Sequence, residues 1–263
     1  MDREYTVILL AAQRAGVVNP LAEKHGVSHK CLIPIDGTSL IERMLDILTA
    51  HPGCREIRIL IEPEGMENVR PALARYVGSG TDIRFMESAR NIAESVLIGC
   101  QGVERPCLIT TADNVLLSHS SISRMIGMMY EGDDAALMLA RDSDVRAVHP
   151  EAQRHFYRFR NGGFANCNLY AFAGPQAFGS TAMFREGGQF MNHPWRLVRA
   201  FGLFNILILW AGLLTVDQAM KRISRQFGIT AKAAIADSGT QAIDVDNDRT
   251  YAIVEGVLTG KYR

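Results

Sequence analysis

Residues 6–37 read TVILLAAQRAGVVNPLAEKHGVSHKCLIPIDG, and this stretch decides the fold. An apolar run from Val7 to Ala12 is rich in β-branched and aliphatic residues, which predicts a buried strand. The strand stops at Gln13, and the loop that follows carries two cations, Arg14 and Lys30. Open α/β sheets bind ligands at the carboxyl ends of their strands. The stretch therefore predicts the first strand of an α/β sheet, opening into a loop suited to anions.

Strands and helices are predicted to alternate along the amino-terminal half of the chain. Further strands are predicted at residues 56–61, 82–86, 107–113 and 134–140, and helices at residues 40–48, 63–76 and 91–100. Alternation at this spacing predicts βαβ units joined by right-handed crossovers. We therefore expect a three-layer, Rossmann-like α/β fold, with a mostly parallel sheet and helices on both faces.

The second half of the chain is less regular. Residues 142–150 form a polar connection, and residues 154–160 are predicted to form one strand of a substrate-covering hairpin. A glycine turn and an apolar strand follow at residues 161–172. A basic amphipathic helix is predicted from Val216 to Phe227, with Gly228 as its C-terminal cap.

Length and composition indicate one globular domain. The chain has 263 residues and a mass of 29.0 kDa, and 48% of its residues are hydrophobic. This is enough for one sizeable α/β domain or for two small ones. We predict a single domain over residues 1–263, with an apolar helical insertion around residues 194–228.

Charge and cysteine content argue against several functional classes. The 28 basic and 28 acidic residues give a formal net charge of +0, which offers no electrostatic case for nucleic-acid binding. The 5 cysteines are isolated and form no Cys-x-x-Cys pair, so the sequence suggests neither a disulfide framework nor a zinc site. A reducing, cytoplasmic location fits this pattern best.

The most apolar run of the chain extends from Pro194 to Leu214. Its uncharged core is shorter than the roughly 20 residues that a membrane-spanning helix needs, so we predict no transmembrane span. One interpretation is a buried helix or one that faces a second subunit in a homodimer. The alternative is a surface for peripheral contact with a membrane or a lipid-linked phosphate, with Trp195 and Arg199 at its polar boundary.

The first stretch resembles the nucleotidyltransferase superfamily that includes molybdenum-cofactor guanylyl- and cytidylyltransferases and the cytidylyltransferases of methylerythritol phosphate and inositol phosphate. The signature of that superfamily is a strand ending Leu-Ala-Ala-Gly, then Gly and Arg, then Pro-Lys. Here Leu10-Ala11-Ala12 matches, Arg14 and Gly16 stand near their expected places, and Lys30 lies in the segment that replaces Pro-Lys. Gln13 departs from the pattern, because it stands where the superfamily has a glycine that lets the backbone approach phosphates. The resemblance implies a GT-A-like nucleotidyltransferase fold with these residues around the nucleotide.

A second motif follows the third predicted strand. Ser95-Val96 followed by Gly99 is similar to the Ser-Val-x-x-Gly helix start that contacts the nucleoside in cytidylyltransferases, with Arg90 as the upstream arginine. A helix N-terminus offers free N–H groups to an anion or a base carbonyl. The alternative is that Glu94-Ser95 is an ordinary helix cap.

Three aspartates are candidate metal ligands. Asp113 ends an apolar strand and resembles the Gly-Asp-x-Pro segment, whose aspartate binds Mg²⁺ in this superfamily. Asp244 and Asp246 resemble the closing Asp-Ile-Asp-Thr-Pro-Glu-Asp segment, which supplies the second carboxylate. On an extended strand both would point the same way. The alternative for Asp113 is a helix cap or a turn residue, and for Asp244 and Asp246 it is helix capping. Asp248 is better explained by charge compensation in the first helical turn.

Two asparagines are candidates for binding the acceptor. Asn166 and Asn168 follow a glycine turn, and their segment is similar to the superfamily's Asn-x-Gly-x-Tyr sequence, where the acceptor is held. They would lie on one face of a strand, where paired amides can bind hydroxyls and phosphate. The alternative is that they are ordinary turn residues.

Together these motifs imply a Mg²⁺-dependent transfer of a nucleoside monophosphate from a nucleoside triphosphate, with CTP favoured, to a small phosphorylated acceptor. Arg14 would hold the β- and γ-phosphates, and Lys30 would stabilise the α-phosphoryl transition state. The alternative is a nucleotide-binding regulator, or a glycosyltransferase-like protein of the same fold that uses a nucleotide sugar. A Rossmann dehydrogenase is disfavoured, because no Gly-x-Gly-x-x-Gly follows the first strand.

Overall fold

The computed structural model describes residues 3–13, 19–175, 177 and 212–262. Its strands are β1 (Tyr5–Leu10), β2 (Pro34–Ile35), β3 (Thr38–Ser39), β4 (Cys54–Ile61), β5 (Asp82–Glu87), β6 (Cys107–Thr111), β7 (Ala135–Arg141), β8 (Tyr157–Phe159), β9 (Gly162–Phe172) and β10 (Ala231–Ile235). Its α-helices are α1 (Pro20–Lys24), α2 (Leu40–Ala50), α3 (Pro63–Leu73), α4 (Ile92–Cys100), α5 (His119–Tyr130), α6 (Asp142–Val148), α7 (Val216–Phe227) and α8 (Asp248–Leu258).

One mixed sheet contains all of these strands except β2 and β3, which pair with each other. Its strand order in the described residues is β10-β7-β9-β6-β1-β4-β5, and β8 pairs with β9 at the side of this path. Strand β1 lies parallel to both β4 and β6, and β5 and β10 are each parallel to their neighbours. The expected α/β fold with a mostly parallel sheet is confirmed. Strand β9 is the exception, because it runs antiparallel to β6, β7 and β8.

Helices cover both faces of the sheet, as the alternating side chains of β1 require. Val7 and Leu9 belong to the large core on the face that carries α2 and α5, whereas Ile8 points to the opposite face and packs near α4. A Cβ atom at Gly99 of α4 would lie 2.8 Å from the Ile8 side chain. This glycine therefore allows α4 to pack directly on the sheet, which produces the three-layer arrangement.

The predicted polar connection at residues 142–150 is wrong in its first part, because Asp142–Val148 form α6. Asp142 and Asp144 stand in the first turn, where acidic side chains stabilise the helix dipole, and Val145 is buried. The predicted helix from Val216 to Phe227 is confirmed, and Gly228 caps it with a φ of 64°.

The apolar run from Pro194 to Leu214 lies almost wholly outside the described residues, which resume at Gly212. The two interpretations of this run therefore stay predictions, as does the insertion around residues 194–228, apart from helix α7. Within the described ranges, none of the helices has the length and apolar character needed to cross a membrane.

Candidate active site

The carboxyl ends of β1 and β6 meet at one edge of the sheet. The backbone N–H of Ala112 donates to the carbonyl of Leu10 at 2.9 Å, so the two strands stay paired until their chains diverge. Asp113 follows directly, and its carbonyl accepts a hydrogen bond from Val245 at 3.2 Å. This contact brings the carboxyl-terminal segment that bears Asp244 and Asp246 to the same edge.

Lys30 joins two of these carboxylates. It lies in a short 3₁₀ turn, Lys30–Leu32, and its Nζ contacts Oδ2 of Asp113 and lies 2.6 Å from Oδ1 of Asp246. Burial lowers the pKa of Lys30, but the two carboxylates outweigh burial and raise it above its ordinary value. The lysine is therefore held in its charged form between two aspartates.

Asp244 lies deeper beside this pair. Burial, together with the nearby carboxylates of Asp113 and Asp246, raises the pKa of Asp244 well above its ordinary value. Its Oδ2 accepts a hydrogen bond of 2.7 Å from Nδ2 of Asn168. Asp113, Asp244 and Asp246 thus form one acidic group around Lys30, which we call the Lys30 cluster.

The predicted acceptor residues Asn166 and Asn168 also lie at this edge. Asn168 adopts a left-handed φ of 47°, at the point where the pairing of β7 with β9 is interrupted by a bulge. This bend directs the Asn168 amide to Asp244, and Asn166 donates to Oδ1 of Asn168 at 2.9 Å. Both amides are therefore engaged within the protein, where they orient Asp244.

The donor set of the cluster fits a magnesium ion. Oδ1 of Asp113 and Oδ1 of Asp244 are buried and have no hydrogen-bond partner among the described residues. Carboxylate oxygens are preferred ligands of Mg²⁺, and the unpaired atoms are costly without a partner. Across the described ranges, no group of three His, Cys, Asp or Glu side chains is arranged to hold a metal alone. A Mg²⁺ ion is usually held by one or two protein carboxylates, with water and phosphate oxygens completing its coordination.

The start of the predicted nucleotide loop is attached to the neighbouring strand. The chain continues from Leu10 through Ala11, whose N–H donates to Leu60 at 3.0 Å, and through the exposed Ala12. Gln13 donates from its backbone N–H to Oε2 of Glu62 at 3.3 Å. The predicted residues Arg14 and Gly16 lie outside the described residues.

Sequence reasoning missed Glu62 and His29. Oε1 of Glu62 lies 2.9 Å from Nε2 of His29, which immediately precedes Lys30. Glu62 therefore contacts both segments that lead to the predicted phosphate-binding residues. The sequence could have indicated Glu62, because it directly follows a predicted strand and so lies at the same carboxyl edge of the sheet as Asp113.

Arg90 and Ser95 belong to the segment around the start of α4, and the Ser95 hydroxyl forms hydrogen bonds within that segment. Ser95 accepts a hydrogen bond from Ala89 at 2.9 Å and donates to the carbonyl of Asn91 at 3.0 Å, so its hydroxyl shapes the loop before α4. Arg90 is exposed in the same loop. The alternative of a cap at Glu94-Ser95 is wrong, because Asn91 is the N-cap of α4.

A family model described as the MobA-like NTP transferase domain matches residues 8–197. The chain belongs to this family. The matched region of the NTP transferase includes Lys30 and Asp113, whereas Asp244 and Asp246 follow it. A search of curated protein sequences found no match.

Several solved structures share the fold of this NTP transferase. A hypothetical transferase from Thermus thermophilus is 22% identical, with a TM-score of 0.77 over 94% of this chain and 99% of the other. A 4-diphosphocytidyl-2C-methyl-D-erythritol synthase from Anaerococcus prevotii is 12% identical, with a TM-score of 0.62 over 98% and 96% of the two chains. A CMP:2-keto-3-deoxy-manno-octonic acid synthetase complexed with CTP is 12% identical, with a TM-score of 0.60 over 98% and 99%. These likenesses establish a nucleotidyltransferase fold.

Proposed function

We propose that this NTP transferase moves a nucleoside monophosphate from CTP to a small phosphorylated acceptor and releases pyrophosphate. The observation that carries the proposal is the Lys30 cluster, in which a lysine from the first loop meets carboxylates from two distant segments. The choice of CTP is supported by the names of two structural relatives, of which one makes a diphosphocytidyl compound and the other is complexed with CTP.

The reaction needs positioning and charge neutralisation more than a nucleophilic side chain. A phosphate oxygen of the acceptor attacks the α-phosphorus, and the bond from that phosphorus to the leaving pyrophosphate breaks. Lys30, held protonated beside Asp113 and Asp246, would stabilise the charge that develops on the α-phosphoryl oxygens. Arg14 would hold the β- and γ-phosphates, so that the leaving group departs as an ion-paired anion.

Magnesium would be held by Asp113 and Asp246, with Asp244 assisting or replacing one of them. The ion would supply positive charge to the phosphates. The buried Asp113 Oδ1 and Asp244 Oδ1 atoms, which have no hydrogen-bond partner among the described residues, support this assignment. Asn168 would keep Asp244 in place, and Asn166 would keep Asn168 in place.

The remaining predicted residues would surround the nucleotide and the acceptor. The nucleotide set is Leu10, Ala11, Ala12, Gln13, Gly16, Arg90 and Ser95, and the acceptor set is Asn166 and Asn168. We further propose that the whole chain forms a single domain in the cytoplasm. The free thiols of all five cysteines, each within the described ranges, support a reducing compartment.

A thermal-shift panel tests this function directly. The four ribonucleoside triphosphates are added to the full chain with and without Mg²⁺, since a ligand that binds only the folded state raises the melting temperature. We expect a Mg²⁺-dependent shift that is largest with CTP, and pyrophosphate release once a phosphorylated acceptor is added. An unchanged melting temperature with all four triphosphates would contradict the proposed nucleotidyl transfer.

The same panel includes nucleotide sugars, because Gln13 replaces the loop glycine and makes a binding-only or glycosyltransferase-like protein the second candidate. A shift with a nucleotide sugar but not with a triphosphate would favour that candidate. Asp113→Asn should remove the Mg²⁺-dependent part of the shift. Asp248→Asn is the matched control, because Asp248 stands in the first turn of α8 and pairs with Lys24 at 2.7 Å.

A further inference from the structure

A cleft of about 430 Å³ opens beside the Lys30 cluster. One wall is the connection between α6 and β8, and the other is the start of α8 with the residues before it. The lining residues are Gln153, Arg154, His155, Asp246, Asn247 and Arg249. Because Asp246 also pairs with Lys30, the cleft adjoins the proposed site of phosphoryl transfer.

The charged groups of the cleft favour an anion. Arg154 and Arg249 contribute two guanidinium groups, against one carboxylate among the lining residues, Asp246, whose Oδ1 lies 2.6 Å from Nζ of Lys30. Arg154 has a carboxylate partner in Glu151, but the 3.4 Å contact joins two exposed side chains and contributes little. Among its lining residues, the cleft therefore has two guanidinium groups and one carboxylate.

Arg249 occupies a position that a purely structural role does not explain. It stands in the first turn of α8, where the helix dipole favours acidic side chains such as Asp248 and disfavours cations. Its Nη1 atom is buried and has no hydrogen-bond partner among the described residues. A buried guanidinium N–H without an acceptor is costly. An anion bound beside this guanidinium would offset its unfavourable position near the helix N-terminus.

We propose that this cleft binds the phosphate group of the acceptor, with Arg154 and Arg249 as its principal contacts. The inference rests on the proposed function and adds a binding site for the second substrate. Guanidinium groups bind phosphate through two parallel hydrogen bonds, which fixes the orientation of the anion as well as holding it. A phosphate held here lies next to Asp246, and so its oxygens stand beside the Lys30 cluster, where attack on the nucleotide would occur.

The test measures binding of inorganic phosphate to the full chain in the presence of Mg²⁺ and a saturating concentration of a CTP analogue. In this analogue a methylene group joins the α- and β-phosphorus atoms. The analogue occupies the triphosphate site and cannot react. We expect phosphate to raise the melting temperature further, and Arg249→Gln and Arg154→Gln each to weaken its apparent affinity at least about tenfold. Arg55→Gln is the matched control, because Arg55 lies near the amino end of β4 and pairs with Glu4 at 2.9 Å.

Two results would overturn the site: unchanged phosphate affinity in both arginine variants, or an equal response to acetate, which would indicate a carboxylate acceptor instead. The melting temperature of each variant without ligand reports whether it is folded. If the analogue itself does not bind, the proposed function fails, and the titration is repeated with phosphate alone. Loss of phosphate binding in the arginine variants but not in Arg55→Gln then still identifies the cleft.

Discussion

Nζ of Lys30 lies 2.6 Å from Oδ1 of Asp246, although 216 positions separate the two residues in the sequence. The contact joins the first loop of the chain to the segment that precedes its last helix. Since Lys30 also contacts Asp113, one ammonium group lies between two carboxylates at the carboxyl edge of the sheet. Removing Lys30 would leave these carboxylates without their cation, which is destabilising in a partly buried site.

Replacing Lys30 with alanine should reduce turnover much more than nucleotide binding. Loss of one preorganised positive group at a developing charge costs about 10²–10³ in kcat, whereas binding still has Mg²⁺ and the remaining loop. Steady-state kinetics with CTP and an acceptor would measure kcat and KM separately. Lys24→Ala is the control, because Lys24 is exposed and pairs with Asp248 at 2.7 Å. A Lys30→Ala enzyme with full activity would refute the assigned role.

Asp113→Asn and Asp246→Asn should each raise the Mg²⁺ concentration that gives half-maximal activity, by at least about tenfold. The amide keeps the shape of the side chain but carries no charge, so it is a poorer ligand for a hard cation. Titration of activity with Mg²⁺ at fixed CTP would measure the change. Asp248→Asn should leave the Mg²⁺ dependence of activity unchanged. An unchanged Mg²⁺ dependence in both Asp113→Asn and Asp246→Asn would show that these residues do not bind the metal.

Much of the fold was predictable from local pattern. Strands of a parallel α/β sheet are buried on both faces and are therefore continuously apolar, as in the run that forms β1. This run, together with the alternation of strands and helices up to β7, predicted the parallel sheet. The position of Asp113 followed from the same logic, since residues just after parallel strands gather at one edge. The C-terminal end of α7 was also predictable from local sequence, because a single glycine, Gly228, indicates the helix cap.

The rest depends on contacts between distant segments. The antiparallel direction of β9 and the left-handed Asn168 arise where β9 inserts between β6 and β7, and no local pattern encodes that placement. The contact of Glu62 with His29 joins two loops across the sheet edge. The cleft beside Asp246 likewise exists only because α8 begins next to the connection before β8.

Glu62→Gln should loosen the nucleotide loop. The carboxylate of Glu62 accepts from the backbone of Gln13 at 3.3 Å and lies 2.9 Å from the His29 ring, so it holds the start of the loop and the residue before Lys30. A neutral amide weakens both contacts, and we expect the KM for CTP to rise several-fold, with a smaller change in kcat. Glu64→Gln, two residues further along in the first turn of α3, is the matched control. Equal kinetics in the two variants would contradict the anchoring role.

The five cysteines should resist thiol reagents in the native protein. All of them lie in the described ranges and are buried, and burial raises the pKa of both Cys31 and Cys54 to about 12. The thiolate is the reactive form, so both access and ionisation oppose labelling at neutral pH. A colorimetric disulfide reagent should react slowly with the folded chain and with all five thiols in guanidinium chloride. Rapid native labelling of one or more thiols would show that part of the core opens readily.

Stability should fall as the pH drops below about 6.5, and His51 should account for part of the loss. Burial lowers the pKa of His51, and the nearby His119 ring lowers it further. Between this lowered value and the ordinary one, the unfolded chain binds a proton that the folded chain does not, so acidification favours unfolding by up to about 1.4 kcal/mol per pH unit. The His51 ring also contacts the core, because its Nδ1 lies 2.8 Å from the hydroxyl oxygen of Tyr5. Denaturant unfolding of wild type and His51→Gln from pH 7 to pH 5 would measure the difference, with His25→Gln as the control. An identical pH dependence in wild type and His51→Gln would exclude His51 as the titrating group.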